Sequence, residues 1–142
     1  MSRRTEGGQV SVLIIGFFVV ALLLVVVVVD ASAAYLHRQR LDAVADGAAI
    51  AAVDGVQEAS IYEQGLGQRA VLDPAQARAL VAEYVRGVGA ARYAGLHYQV
   101  FTTPDSVTVV VSAPLSLPLA PPGWGGTTRV TASAAAFTEV VG

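Results

Sequence analysis

Few side chains in this sequence are of a type and spacing that could do chemistry. Gly65-Leu66-Gly67-Gln68-Arg69-Ala70 matches the pattern G-x-G-x-x-G/A. That pattern holds a dinucleotide only as the turn between a strand and a helix, where backbone amides face a pyrophosphate. Here it follows a helical stretch, outside any β-α-β unit and without an acidic residue at the required distance, so it reads as a loop. His37 and His97 are the only histidines and form no H-E-x-x-H pair. Asp42, Asp46 and Asp54 fall along one helical stretch, too spread for the compact oxygen cage a hard cation needs. The chain has no cysteine, which excludes disulfides, thiolate metal sites, iron–sulfur clusters and a cysteine nucleophile. A phosphate-binding P-loop and a G-x-S-x-G nucleophile elbow are also missing. With no convergent acid, base and nucleophile, the expectation is a non-enzyme with no catalytic residue, cofactor or metal.

What the sequence does supply is apolar surface. Of its 142 residues, 54% are hydrophobic and 14% charged, where a soluble domain carries about 25% charged residues. The excess is concentrated in Val10 to Val29, twenty residues without a charge, an amide or a proline, interrupted only by Ser11, Gly16 and Ala21. As a helix rising about 1.5 Å per residue, such a run reaches about 30 Å, the thickness of a bilayer's hydrocarbon core. The valines Val25 to Val29 are poor helix formers in water, but in lipid a helix satisfies its own backbone groups and becomes the default. The net charge of −2 and nine scattered arginines provide no basic stripe for nucleic acid. The bilayer is the first expected partner.

A cleavable secretory signal is the main rival to an anchor. Arg3 and Arg4 supply a basic start, and Ala31-Ser32-Ala33 resembles a cleavage site. The run exceeds the usual signal length of about 7–15 residues, and Asp30 sits where it would meet that site. The anchor is therefore preferred. Ser2-Arg3-Arg4 fits a twin-arginine signal poorly, because Glu6 and Gly7 stand where apolar residues belong. Arg3 and Arg4 before the run balance Arg38 and Arg40 after it, so the arginine count leaves orientation open. The free amino terminus and the large C-terminal remainder favour a signal-anchor with the leader inside.

Beyond Asp30 nothing breaks a helix before Gly55, the first plausible stop. Leu41, Val44, Ala45, Ala48, Ala52 and Val56 recur at spacings of three and four, with Asp42 and Asp46 on the opposite side. Gly47, Ala51 and Gly55 add a small-residue register, beside Ala45, Ala48 and Ala52, that admits a close backbone. These six residues are the expected helix-packing set. Their partner is either the protein's own globular part or neighbouring helices in an assembly. His37, with Arg38 and Arg40, reads as a collar at the membrane surface.

Residues 57–72 read as a fraying helix end and a loop, and Asp73-Pro74 starts a second helix that ends near Gly87. Leu96, Tyr98 and Val100 alternate as a strand, Thr103 to Ser106 is turn chemistry, and Val107 to Ser112 is β-branched. Pro114, Pro118, Pro121 and Pro122 demote the next stretch to an edge or loop containing Trp124, and Thr127 to Val140 reads as a final strand. The fold class is α+β: a long N-terminal transmembrane and amphipathic helix, a second helix and a small antiparallel sheet covered on one face. The expected divisions are a cytoplasmic leader (1–9), a transmembrane helix (10–29), an amphipathic extension (30–56) and an extracytoplasmic head (57–142).

The order of Arg3-Arg4-Thr5-Glu6-Gly7-Gly8-Gln9, the apolar run, Asp30-Ala31-Ser32-Ala33-Ala34-Tyr35, Arg38-Gln39-Arg40-Leu41-Asp42 and Ala43-Val44-Ala45-Asp46-Gly47-Ala48-Ala49-Ile50-Ala51-Ala52 resembles the TadE/TadG-like family of tight-adherence, Flp-type pilus-assembly proteins, particularly its short actinobacterial members. The likeness is best over residues 3–56. It implies a pilin-like accessory protein of the cytoplasmic membrane or cell surface, with other pilus-assembly or pilin-like subunits as partners. It also implies possible processing after Gly8, although the glutamate such a site carries five residues later is Leu13 here. The alternatives are a single-pass membrane protein with an extracytoplasmic binding head unrelated to pili, and a secreted protein released after Ala33.

Overall fold

The computed structural model describes residues 7–64, 72–88, 93–119 and 128–138. Helix α1 (Gly7–Gln64) is followed by helix α2 (Pro74–Gly87) and strands β1 (His97–Thr102), β2 (Ser106–Leu115) and β3 (Thr128–Phe137). The architecture is the expected α+β one. The glycine motif at residues 65–70 and Trp124 lie outside the described residues.

The chain divides into two compact units, one of residues 1–35 with 117–125, the other of residues 36–116 with 126–142. In the second, the strands form an antiparallel sheet in the order β1-β2-β3. Central strand β2 alternates, placing Val107, Val109, Val111, Ala113 and Leu115 on the buried face. Val109 pairs with Val100 of β1 and with Ala134 of β3, which fixes the register of all three strands. That face joins Leu41, Ala45, Ala48, Ala49, Ala52, Val53 and Val56 of α1 and Ala77, Val81 and Val85 of α2 in one core. The opposite face carries the exposed Phe101 and Phe137 and has no covering layer among the described residues.

Local chemistry sets the boundaries. The Asp73 carboxylate accepts a 3.0 Å hydrogen bond from the Ala75 amide, and Pro74 occupies the first helical turn, where a missing N–H costs nothing. The β1–β2 connection closes through the Thr103 amide to the Ser106 carbonyl at 2.9 Å, and the Thr103 hydroxyl donates to Asp105 at 3.0 Å. Asp105 also anchors the end of β3, its carbonyl accepting the Thr138 amide.

Two sequence expectations change. Helix α1 does not stop at Gly55 but runs on to Gln64. Burial of Val53 and Val56, at about 1.5–3 kcal/mol per fully buried side chain, outweighs the roughly 1 kcal/mol that a mid-helix glycine costs. Pro114, expected to open an edge or loop, lies inside the central strand opposite Arg129. The β1 ladder reaches only Ser112, so at Pro114 the strand has one neighbour, a position proline tolerates. Gly95, the described residue with positive φ (+81°), turns the chain into β1 beneath the Pro114 ring.

Candidate functional site

Within the first unit, α1 presents one continuous apolar surface. Leu13, Phe17, Phe18, Leu22, Leu23 and Leu24 are all more than half exposed. Val10–Ala59 is long and apolar enough to cross a membrane, and the most apolar part of it is entirely unburied. Gly16 leaves a shallow notch between Leu13, Phe17 and Val20, without a polar side chain in its lining. Such a surface offers dispersion and apolar transfer and nothing for bond-making. The Ser32 hydroxyl returns its hydrogen bond to the Val28 carbonyl at 2.7 Å, so this polar group makes no demand on its surroundings. Gly8, the candidate processing residue, lies in the first turn of α1 with open space around it.

Asp30 ends the apolar block with a contact that sequence reasoning missed. Its Oδ1 accepts a 3.1 Å hydrogen bond from the Leu119 amide, 89 positions away. The turn at 117–119 thereby lies against the helix at the end of the apolar run. No local periodicity could announce it; the only signal was an acidic residue closing an otherwise uncharged block.

In the second unit the proposed packing residues fall into two groups. Ala45, Ala48 and Ala52 are fully buried in the core shared with β2. Gly47, Ala51 and Gly55 lie partly buried beside them. A Cβ at Gly47 would fall on the Tyr84 phenol, and one at Gly55 would come within 2.8 Å of Leu80 Cδ1. Both glycines thus face α2 of the same chain, which approaches as closely as it does because they lack side chains. The outer face of this stretch carries Asp46, Ile50, Asp54 and Glu58, all exposed.

Among the described residues the titratable groups do not converge. Arg38 and Asp42 approach to 4.0 Å on an exposed helix surface, a spacing that contributes little to stability. His97 is exposed on β1, whereas His37 leaves the surface collar expected of it. Its ring meets Tyr93 edge-on, with centroids 6.0 Å apart and planes at 76°, and its buried Nε2 has no hydrogen-bond partner among the described residues. No group of three or more His, Cys, Asp or Glu side chains among the described residues could hold a metal ion. The arrangement can insert, pack and present surfaces.

Residues 8–58 match the model of the Tad family, TadE/G-like proteins of Flp pilus assembly. The match covers the whole apolar run and the whole small-residue stretch, a little over a third of the chain. No curated protein and no solved structure matches.

Proposed function

We propose that this protein is a membrane-anchored, pilin-like accessory component of tight-adherence pilus assembly, without enzymatic activity. The observation that carries this reading is the coincidence of the family match with a single helix: residues 8–58 fall within α1, whose first half is bare and apolar. In this reading residues 10–29 span the cytoplasmic membrane once, residues 1–9 stay inside, and the chain from 57 onward forms an extracytoplasmic head. Residues 30–56 seat that head, with Ala45, Gly47, Ala48, Ala51, Ala52 and Gly55 admitting the chain's own sheet and α2. Contacts with other pilus subunits then fall to the apolar run and to exposed head surfaces. Leu13 in place of a glutamate supports retention of the leader at Gly8 and a minor or assembly role rather than that of a major filament subunit.

Deleting the gene should abolish or sharply reduce piliation, and the full chain should restore it; a deletion strain with wild-type pili would overturn the reading. Mass spectrometry of the mature protein then separates the modes of anchoring. An intact N terminus is expected, a start at Gln9 would mean processing after Gly8, and a start at Ala34 would replace the anchor by a secreted form.

A further inference from the structure

We propose that the Leu117-Pro118-Leu119 turn is a second membrane contact, held by Asp30 in the interfacial layer on the side where the apolar run ends. This rests on the reading of residues 10–29 as a membrane span. Asp30 is the first residue past that run, within about 1.5 Å of its end along the helix axis. Helical side chains lean toward the helix N terminus, so the Asp30 carboxylate reaches back toward the lipid. The Leu119 amide bound to it at 3.1 Å therefore lies at the depth of the hydrocarbon boundary.

The chemistry of the turn suits that depth. Leu117 and Leu119 are 39% and 45% exposed, whereas Leu115, two residues earlier, is buried in the head. Backbone donors are the usual obstacle to placing a turn near hydrocarbon, since an unpaired N–H there is costly. Pro118 has no N–H, and that of Leu119 is taken by Asp30. The turn thus presents two leucines while residues 118 and 119 leave no free amide hydrogen. A lipid interface is the occupant because the hydrogen bond fixes the turn against the one helix among the described residues whose apolar length calls for a bilayer.

The absence of cysteine allows the test in the full chain. Leu119→Cys, Phe18→Cys and Ile50→Cys, each carrying an environment-sensitive fluorophore, are reconstituted at low protein density in phosphatidylcholine–phosphatidylglycerol vesicles. Quenching is measured with aqueous iodide and with lipids bearing a nitroxide high on the acyl chain or near its end. The label at 119 should be quenched by the high nitroxide and be several-fold less sensitive to iodide than the label at 50, as for side chains about 5–10 Å into the headgroup and acyl boundary. Asp30→Ala should restore its iodide sensitivity, whereas Asp30→Asn, which keeps an acceptor oxygen, should not. Full iodide access at 119 with the label at 18 quenched by the deep nitroxide would overturn the proposal and leave the anchor intact. Shielding at 119 without lipid quenching would mean that protein covers the turn, and would overturn it too. A label at 18 that no lipid nitroxide reaches would remove the anchor itself.

Discussion

In residues 10–29 of α1 the leucines, isoleucines and phenylalanines are all exposed, from 49% at Ile14 to 74% at Leu13. In residues 41–56 of the same helix, Ala45, Ala48 and Ala52 are wholly buried and Ile50 stands out at 54%. Hydrophobicity alone does not decide burial along this helix; what surrounds each stretch does. The first stretch leaves its large side chains exposed, with no sheet or second helix packed on them among the described residues. The second has a sheet and a helix to meet, and small side chains let those backbones come close. Gly16 and Gly47 condense the contrast: a Cβ at Gly16 meets nothing within 4 Å, whereas one at Gly47 collides with Tyr84.

Matched substitutions in the two stretches turn that contrast into measurements. The largest effect is expected from Leu41→Ala, which empties a fully buried site and should destabilise the head by about 2–5 kcal/mol in denaturant unfolding. Leu24→Ala, 61% exposed, should leave that transition in place; equal losses at the two sites would erase the distinction. Next comes charge. Val20→Arg places a guanidinium near the middle of the apolar run and should cost about 2.5–3.5 kcal/mol of insertion, lowering the membrane-inserted fraction in a translocation assay. Ile50→Arg, between Asp46 and Asp54 on the exposed face, should leave insertion unchanged and stability within about 0.5 kcal/mol. The smallest effect separates the glycines. Gly47→Ala should destabilise by about 1–3 kcal/mol through overpacking against Tyr84, with a smaller loss when Tyr84→Ala is already present. Gly16→Ala should be neutral for the head, and a Gly47→Ala variant as stable as wild type would remove α2 from that face.

Local periodicity carried much of this into the sequence. The apolar run, the three-and-four spacing from Leu41 to Val56, the Asp73-Pro74 cap and the alternation of β2 are patterns readable within a window of a few turns. The end of α1 was less legible, because the glycine at 55 is a stop signal only until Val53 and Val56 find a core. Pro114 misled for a related reason: its place in a central strand depends on where the β1 ladder ends. Of the candidate interaction surface, the small residues were readable as a register, but their choice of α2 was not, since Tyr84 and Leu80 are apolar positions of another helix with no label for their partner.

The sequence by itself determined the elements and their apolar faces, because hydrophobic periodicity and capping act between residues a few positions apart. The tertiary structure decided which face meets what: that Gly47 yields to Tyr84, that His37 sits edge-on to Tyr93, and that Asp30 holds the Leu119 amide. These pairings join residues dozens of positions apart, and they exist only once packing has brought the groups within contact distance. No pattern in either local stretch specifies them.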